Sequence, residues 1–336
     1  MSRKRPGFSE HGSEHITMIV DSSDTNPQMM DKPVLMTEQQ SKLDGFKPLD
    51  IYDKEIITKY LKQDPPRISE LTFTNLFIWR HRSQIHWREF EGSLLIIMDP
   101  LDGTSYGLPP MGTGDKSLAL DFLCKELGKI TDDVRVGRVD KCSVEQYVHP
   151  DKYQVIPDPD QGDYVYLTDN LINLSGRKYH RKKNHVNRFY RENDFEYEKL
   201  DIDQVECFLE MQEDWCQIRN CAENLELLQE DRAIFEAMKF FEDLDFQGGA
   251  IKINNKIEAF SLGEPINSDT AVIHIEKANP KIPGIYAAIN QLFCENAWSE
   301  IKFINREQDL GSAGLKKAKL SYHPHHMVNK FTLIPR

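Results

Sequence analysis

The chain has 336 residues, enough for two domains of ordinary size, and its 39% hydrophobic and 10% aromatic content supports packed cores rather than disorder. Its 54 acidic side chains outnumber the 42 basic ones, so the net charge is −12. This charge argues against a general attraction to nucleic acid or to anionic membranes, and DNA is not an expected partner. No apolar run is long enough to predict an integral membrane segment.

Cysteine and histidine spacing gives no indication of a metal site. The six cysteines form no Cys-x-x-Cys pair and show no zinc-type spacing to histidine. The histidines around Pro324 (His323, His325 and His326) also lack a nearby cysteine or acid that would complete a ligand set. We therefore expect no metal, reduced thiols and a cytoplasmic location.

The first 45 residues are polar and show no sustained hydrophobic periodicity, which predicts a flexible extension. A first mixed α/β lobe is predicted from residue 46 to residue 162, where Pro157–Gly162 has the composition of a linker. Its predicted elements are the helices Leu49–Leu61, Ser117–Leu127 and Ser143–Val148, the hairpin Trp87–Met98 turning at Glu91-Gly92, and the strand Val134–Val139.

A second lobe is predicted from residue 163 to residue 336. Its first half is predicted to contain the strand Tyr164–Leu167, the basic helix Gly176–Asn193, the strand Phe195–Leu200, and the helices Val205–Ile218 and Gln229–Asp243. Its second half is predicted to contain the hairpin Gly249–Gly263, the strand Ala271–Ala278, the loop Asn279–Gly284, the helix Ile285–Trp298, a strand from Phe303, the helix Ala313–Leu320 and the strand Lys330–Ile334.

The order of elements after residue 249 resembles the core of GNAT-type acyltransferases. In those enzymes the central strand leads into a loop and a helix N-terminus that receive the phosphates of the donor. Gly284 is the residue of this chain at that position. The Gln/Arg-x-x-Gly-x-Gly/Ala signature of acetyl-CoA users is absent, which argues against coenzyme A as the cofactor.

Four sequence phrases together resemble one family more specifically. They are Thr72–Trp79 (TFTNLFIW), Leu174–His185 (LSGRKYHRKKNH), His274–Ala278 (HIEKA) and Asn305–Gly311 (NREQDLG). They are similar to stand-alone bacterial proteins of unknown function related to the C-terminal domain of phosphatidylglycerol lysyltransferase, and the resemblance covers nearly all of the chain from Phe46.

This resemblance implies an α+β chain with two tandem GNAT-like lobes, as in the Fem transferases that use aminoacyl-tRNA. In lysyltransferases the domain moves an aminoacyl group from tRNA to a lipid hydroxyl. Those enzymes also carry a multi-span membrane domain, which this sequence does not contain. The acceptor substrate therefore does not follow from the fold.

The predicted basic helix stands out in an acidic chain, because residues 177–191 contain seven Lys and Arg and no acid. At helical spacing Arg177, Arg181 and Arg188 share one stripe, which indicates a surface for tRNA phosphates or a phosphorylated donor. The candidate contacts are Arg177, Lys178, Arg181, Lys182 and Arg188. The alternative is a solvated face that pairs with acids elsewhere.

A polar cluster follows the predicted core strands, with Glu276 near the end of one strand and Arg306, Glu307 and Asp309 after the next. If the two strands are neighbours, these side chains converge beside Gly284. One carboxylate would then act as the base or hold the α-ammonium of the donor, and Arg306 or Lys277 would offset developing negative charge. The alternative is a buried network that fastens the two strands.

Lys316 and Lys319 share one face of the last predicted helix, either as phosphate contacts or as part of an exposed face. The sequence thus predicts a transferase that moves an acyl or aminoacyl group from aminoacyl-tRNA to a hydroxyl or amine of a lipid head group, peptide or small molecule. The alternatives are a coenzyme A-dependent N-acyltransferase and a non-catalytic RNA-binding module.

Overall fold

A computed structural model describes residues 43–219 and 225–336, and every structural statement below concerns these residues. Residues 1–42, which make up most of the predicted extension, lie outside the described residues, as does Cys221. The described chain is a mixture of helices and strands arranged in two sheets, as the sequence predicts.

Residues 43–162 form four α-helices and seven strands. In chain order they are β1 (Lys47–Pro48), α1 (Lys54–Gln63), α2 (Phe73–Ile78), β2 (Ser83–Phe90), β3 (Ser93–Pro100), β4 (Tyr106–Gly107), β5 (Met111–Gly112), α3 (Lys116–Leu127), β6 (Val136–Asp140), α4 (Lys141–Tyr147) and β7 (Tyr153–Pro157).

Residues 163–336 form six α-helices and eight strands. In chain order they are β8 (Asp163–Leu167), α5 (Thr168–Asn173), α6 (His180–Glu192), β9 (Glu196–Lys199), α7 (Val205–Arg219), α8 (Leu225–Lys239), β10 (Gln247–Ile253), β11 (Lys256–Pro265), β12 (Thr270–Ala278), α9 (Ile285–Trp298), β13 (Phe303–Asn305), α10 (Ala313–Leu320), β14 (His326–Val328) and β15 (Lys330–Pro335).

A pair of parallel strands connected by a helix occurs once in each sheet. The first sheet has the order β1-β2-β3-β4-β6-β15-β7, with β5 paired to β3, and the second has the order β14-β8-β13-β12-β11-β10-β9. Within the described residues each sheet contains one parallel pair, β4 with β6 and β12 with β13. A helix connects the two strands of each pair, α3 in the first case and α9 in the second, because parallel strands need a crossover connection.

The last strand crosses the predicted boundary between the lobes. The segment Pro157–Gly162 does connect the sheets, because β7 lies in the first sheet and β8 in the second. However, β15 lies in the first sheet between β6 and β7, although the sequence places it in a lobe spanning residues 163–336. The first lobe is therefore completed by the C-terminal end of the chain.

Local sequence signals account for the best-predicted elements. The β10–β11 hairpin turns at Asn254-Asn255, where both residues have positive φ, and the β2–β3 hairpin turns at Glu91-Gly92 in the same way. Two consecutive positive φ values are the requirement of the tight turn that matches the twist of paired strands. In α9, Ile285, Ala288 and Ile289 lie on one buried face, as their spacing predicts.

The cysteines depart from the sequence-based expectation. The thiols of Cys124, Cys142, Cys207 and Cys294 are free. Cys216, in contrast, is disulfide-bonded, so the prediction that all the cysteines are reduced is wrong for this residue. The sequence offered no Cys-x-x-Cys spacing that would have indicated a bridge.

A shared apolar core joins the two lobes. One cluster of buried side chains includes Leu76 and Phe77 of α2 together with Phe208 of α7, Ile234 of α8 and Ile275 of β12. The ring of Phe77 also meets Phe240 edge to face, with centroids 4.9 Å apart. Because this cluster draws on both sheets, the lobes are held together by ordinary core packing.

A buried ion pair lies at the start of β8 and β15. Lys330 Nζ donates to Asp163 Oδ1 at 2.6 Å and to Glu70 Oε2 at 2.7 Å, and the side chains of Lys330 and Asp163 have no exposed surface. Asp163 also accepts hydrogen bonds from Ser69 of the first lobe and from Asn305 of β13. The pair therefore connects β15 to β8, to β13 and to the loop before α2.

Replacing Lys330 with Met should destabilise the fold by about 3–5 kcal/mol, because Asp163 would remain buried without its charge partner. Urea unfolding measures the loss, and Lys125→Met, which removes an exposed lysine of α3, serves as the control with an expected change below about 0.5 kcal/mol. Equal stability of the two variants would contradict the structural role of the pair.

Candidate functional site

The candidate site lies where β12 and β13 separate. The two strands pair in parallel only over Thr270–Val272 and Phe303–Asn305. Beyond this point β12 continues to Ala278, whereas β13 ends and its polypeptide leaves the sheet at Arg306. The two strands are therefore neighbours, which was the condition for the predicted polar cluster, and the polar residues that follow β13 lie along the resulting gap.

A β-bulge in β12 decides which way its polar side chains point. Leu262 of β11 faces Ile275 and Gly263 faces Ile273, so His274 has no partner across the ladder. The extra residue reverses the alternation of side chains along the strand. Ile273 belongs to the core beneath α9, whereas His274 points to the other face, towards α2 of the first lobe.

On this interlobe side, His274 lies between two carboxylates. Its Nδ1 is 2.9 Å from Glu307 Oε1 and its Nε2 is 2.9 Å from Glu264 Oε1, with only 1% of the side chain exposed. Burial alone would lower the pKa of His274, but the hydrogen bonds to Glu264 and Glu307 outweigh burial and raise this pKa to about 9. At neutral pH a charged imidazolium therefore donates to both carboxylates.

Glu307 is held in an uncommon backbone conformation. Its φ is +57°, in the left-handed region that non-glycine residues rarely adopt. Its N–H donates to Asn305 Oδ1 at 2.8 Å, and its Oε1 accepts from Asn75 Nδ2 of α2 at 3.0 Å. Its second carboxylate oxygen receives no hydrogen bond from the part of the chain that the structure describes. Backbone strain of this kind is found preferentially at functional sites.

On the opposite side of the gap, beneath α9, Glu276 and Arg306 form an ion pair of 2.8 Å. The second oxygen of Glu276 accepts from Asn290 Nδ2 of α9 at 2.9 Å, so both oxygens of this carboxylate are engaged. Burial alone would lower the pKa of Arg306, but Glu276 outweighs burial and raises it. The guanidinium also lies 4.8 Å from the ring centroid of Tyr322.

Asp309 is buried and engaged at both oxygens. Tyr164 donates its hydroxyl proton to Asp309 Oδ2 at 2.5 Å, and the Gly311 N–H donates to Oδ1 at 2.9 Å. Burial, together with the Asp309 carboxylate, raises the pKa of Tyr164 to about 12. These contacts fix the turn that leads into α10, and they leave Asp309 no free oxygen for a substrate.

Lys319 supports the segment that carries Arg306 and Glu307. Its ammonium donates to the backbone carbonyls of both residues, at 3.1 Å in the case of Glu307, and burial lowers its pKa to about 8. Lys316, by contrast, is exposed and makes no ion pair with the described residues. The structure therefore separates these two predicted phosphate contacts, with Lys319 turned inward and Lys316 outward.

The predicted basic helix is observed as a short 3₁₀ turn, Arg177–Tyr179, followed by α6. Val186 and Phe189 anchor it to the core, and Arg177, Lys178 and Arg181 are exposed without an ion-pair partner among the described residues. Arg188 differs, because it pairs with Glu192 one turn later at 2.8 Å. The unpaired cations of the helix therefore lie towards its N-terminal end.

Gly284 packs against α6, and Lys277 points to the face of β12 opposite Glu276. Gly284 begins α9 with φ +87°, and a Cβ there would lie 2.3 Å from the carbonyl oxygen of His185 in α6, so only glycine permits this helix contact. Lys277 points to the opposite face of β12, where it pairs with Glu230 of α8 and lies 3.6 Å from the Trp215 ring centroid.

A surface cavity of about 290 Å³ lies on the side that Lys277 faces. Its lining consists of Met211, Asp214, Trp215, Gln217, Ile218, Lys256, Ile257, Glu258, Asn279 and Lys281. None of the polar residues in the gap between β12 and β13 contributes to it. The cavity and the polar gap are therefore separate features, and the ionised and strained groups favour the gap as the candidate site.

Several residues of the site were not identified from the sequence. They are Thr72 and Asn75 of α2, Glu264 of β11, His274 of β12 and Asn290 of α9. A usable signal was present, because His274 interrupts the apolar run Ala271-Val-Ile and Glu264 ends a buried strand. Polar residues at such positions require partners, which is the reason to look for a network around them.

The described residues contain no group of three or more His, Cys, Asp or Glu side chains arranged to hold a metal ion. His325 and His326 lie with their Nδ1 atoms 2.9 Å apart, and both rings pack against Phe303. In the same part of the chain no helix combines the length and the apolar character needed to cross a bilayer.

A protein-family model described as phosphatidylglycerol lysyltransferase, C-terminal, matches residues 63–334. An uncharacterised protein of Mycoplasmoides gallisepticum is 26% identical over 179 residues. That alignment covers 50% of this chain and 54% of the relative, so the chain matches only about half the length of this curated protein.

Solved structures share the fold over most of the chain. A protein of unknown function from Bacteroides thetaiotaomicron is 32% identical with a TM-score of 0.81, covering 87% of this chain and 99% of that one. L-PGS from Bacillus licheniformis has 14% identity and a TM-score of 0.59, with 84% and 91% covered. FemX has 10% identity and a TM-score of 0.56, with 85% and 96% covered. The predicted tandem GNAT-like fold is confirmed.

The raised pKa of His274 predicts a specific dependence of stability on pH. A group whose pKa is higher in the folded state stabilises the fold fully below its unfolded pKa of about 6.5, and this contribution is lost as the pH rises through 9. We expect a loss of up to about 3 kcal/mol across this window, which urea unfolding at a series of pH values measures.

The variant His274→Gln should lack this loss, whereas His149→Gln, at an exposed histidine, should retain it. Burial lowers the pKa values of Lys182 and Lys319 to about 8. Above pH 8 these two groups raise the stability of the fold, which is opposite to the effect of His274. The interval from pH 6.5 to pH 8 therefore isolates the contribution of His274. If the free energy of unfolding changed equally with pH in His274→Gln and in the unmodified protein over that interval, the assignment to His274 would be refuted.

Proposed function

The chain belongs to the phosphatidylglycerol lysyltransferase C-terminal family, and we propose that it moves an aminoacyl group from aminoacyl-tRNA to a hydroxyl or amine acceptor. Family and fold relate it to acyl and aminoacyl transferases in general. The choice of aminoacyl-tRNA as the donor, and of a lipid head group, peptide or small molecule as the acceptor, is the proposed part.

The observation that carries the proposal is the position of Glu307 beside the gap between β12 and β13. Of the three carboxylates predicted there, Glu276 and Asp309 have both oxygens engaged, whereas Glu307 keeps one oxygen without a donor among the described residues. His274 and Asn75 bind the other oxygen and fix the orientation of the carboxylate. Glu307 is therefore the acid of the cluster with the capacity to accept a proton.

The chemistry requires such a group. The oxygen or nitrogen of the acceptor attacks the ester carbonyl of the donor, the ester bond to the tRNA breaks, and the departing 3′-terminal oxygen takes up a proton. Glu307 would remove the proton from the attacking group and return it to the leaving oxygen. The remaining catalytic task is to position the two substrates, since the ester is already activated.

The basic end of α6 supports tRNA as the source of the ester. Arg177, Lys178 and Arg181 are unpaired among the described residues, and they lie on the helix that packs against α9 beside the gap. Coenzyme A is disfavoured because its sequence signature is absent and because α6 packs against Gly284, where the GNAT comparison places the phosphates of the donor. Thermal stabilisation by coenzyme A would contradict this choice.

Charge reversal on α6 tests the tRNA contact. We expect Arg181→Glu to weaken binding of tRNA about tenfold at low salt and to reduce the salt slope, because an unpaired cation is lost. Arg188→Glu should weaken binding less, since Glu192 already neutralises Arg188. Filter binding across a salt series measures both, with Lys125→Glu of the first lobe as the control of equal charge change. Equal tRNA affinity and equal salt slope for Arg181→Glu and Lys125→Glu would show that α6 does not contact the tRNA.

Substitution of single carboxylates tests the chemical step. Glu307→Gln should lower the rate of aminoacyl transfer by about 10²–10⁴-fold without weakening tRNA binding, because the amide cannot accept the proton. Asp309→Asn should mainly lower thermal stability, because it disturbs the contacts with Tyr164 and Gly311. Single-turnover transfer from labelled aminoacyl-tRNA and thermal unfolding distinguish the two variants. Full transfer activity in Glu307→Gln would exclude this residue as the base.

A further inference from the structure

The side of the gap beneath α9 contains more positive than negative charge. The cluster consists of Lys182 from α6, Arg306 after β13 and Glu276 of β12, and both cations lie close to the ring of Tyr322. Lys182 Nζ lies 3.9 Å from the centroid of this ring, and Arg306 Cζ lies 4.8 Å from it. Two cations therefore meet one carboxylate, and Glu276 is engaged by Arg306 and Asn290.

Lys182 forms no ion pair with an acid of the described residues, and Glu276, whose charge acts on it, is already paired with Arg306. Its side chain is half-buried, and burial together with the neighbouring Arg306 lowers its pKa to about 8. A bound anion would stabilise the charged form of this lysine, because its negative charge opposes the effects of burial and of Arg306. Its neighbour Lys183 is exposed on the same helix, which shows that the environment of Lys182 is specific to its position.

Among the described residues, two buried polar atoms next to Glu276 have no hydrogen-bond partner. Arg306 uses Nη2 for Glu276, while its Nη1 is buried without an acceptor. Asn290 is completely buried and donates to Glu276, while its Oδ1 is buried without a donor. Buried polar atoms are normally satisfied, so an unpaired donor and an unpaired acceptor on either side of one carboxylate indicate an incomplete site.

We propose that Lys182 and Arg306 form a subsite for a carboxylate, so that the aminoacyl group accepted by this protein carries an acidic side chain. The carboxylate would accept from Arg306 Nη1 and Lys182, and the α-ammonium of the same group would donate to Asn290 Oδ1. This inference rests on the proposed function, because it names the class of aminoacyl group that the gap receives.

The same arrangement disfavours a cationic side chain. A lysyl group placed here would meet two cations and a carboxylate that is already paired, and like charges in a partly buried site repel strongly. A neutral side chain would leave Lys182 uncompensated. The order of preference is therefore acidic, then neutral, then basic.

Amino acid α-methyl esters test the subsite without tRNA, because they retain the α-ammonium, the ester and the side chain of the donor. We expect calorimetric titration to show that glutamate α-methyl ester binds at least about tenfold more tightly than glutamine methyl ester, which differs only in carboxylate against amide. Lysine methyl ester should bind most weakly. Equal affinity for the glutamate and glutamine esters would overturn the proposal and would leave water as the occupant of the site.

Lys182→Met and Lys183→Met form a matched pair on adjacent positions of α6. Lys182→Met should abolish the preference for glutamate over glutamine, whereas Lys183→Met should retain it, and thermal unfolding confirms that both variants are folded. Loss of the preference in both variants would show a general charge effect and would overturn the assignment to Lys182.

A separate measurement distinguishes this inference from the proposed function. Transfer is compared for tRNA charged with glutamate, leucine or lysine. Preferential use of lysyl- or leucyl-tRNA would confirm the transferase and overturn the carboxylate subsite. Selective binding of glutamate ester that depends on Lys182, without transfer from any charged tRNA, would support the subsite and contradict the proposed function.

Discussion

The buried pair of Lys330 and Asp163 links both lobes to the candidate site. Asp163 starts β8 in the second sheet, and Lys330 starts β15 in the first sheet. The same carboxylate accepts from Asn305, and Asn305 in turn accepts from the N–H of Glu307. A charge pair without solvent contact is costly unless every lone pair and proton is engaged, so this network tolerates little displacement. The conformation of Glu307 is therefore set by contacts that also unite the lobes.

The bulge at His274 divides the polar gap into two chemically different sides. Without the extra residue, His274 and Glu276 would lie on the same face of the sheet, because side chains alternate along a strand. With the bulge, the histidine and Glu307 meet the first lobe at Asn75, and Glu276 meets α9 at Asn290. Under the proposed function, one side would take part in proton transfer while the other side would recognise the group that is transferred.

Sequence reasoning was reliable where the physical signal is local. The hairpin turns and the buried face of α9 follow from periodicity and turn chemistry. The insertion of β15 into the first sheet depends on a pairing with β6, almost two hundred residues earlier, and no local pattern encodes it. The opposite orientations of His274 and Glu276 depend on a one-residue bulge, and they could not be predicted from alternation.

The same distinction explains the outcome for the candidate site residues. Arg306, Glu307, Asp309 and Glu276 were found because polar residues after core strands are conspicuous, but their roles depend on which oxygens remain free in three dimensions. Lys277 appeared equivalent to Glu276 in the sequence, yet the neighbouring position on a strand faces the opposite side. Adjacency in sequence therefore identifies the segment, and only the fold identifies the side chains that share a site.

The charge distribution reconciles an acidic chain with a polyanionic donor. At physiological salt the field of an exposed charge decays over about 8 Å, so the net charge of −12 acts weakly at the N-terminal end of α6. The unpaired Arg177, Lys178 and Arg181 are local enough to bind phosphates, while the acids elsewhere disfavour nonspecific contacts with nucleic acid. Lys182, on the same helix but turned inward, extends this positive region to the gap itself. Under the proposed function, α6 and the turn before it would thus provide cations for the polynucleotide on one face and for the transferred group on another, which would link recognition of the carrier to recognition of its cargo.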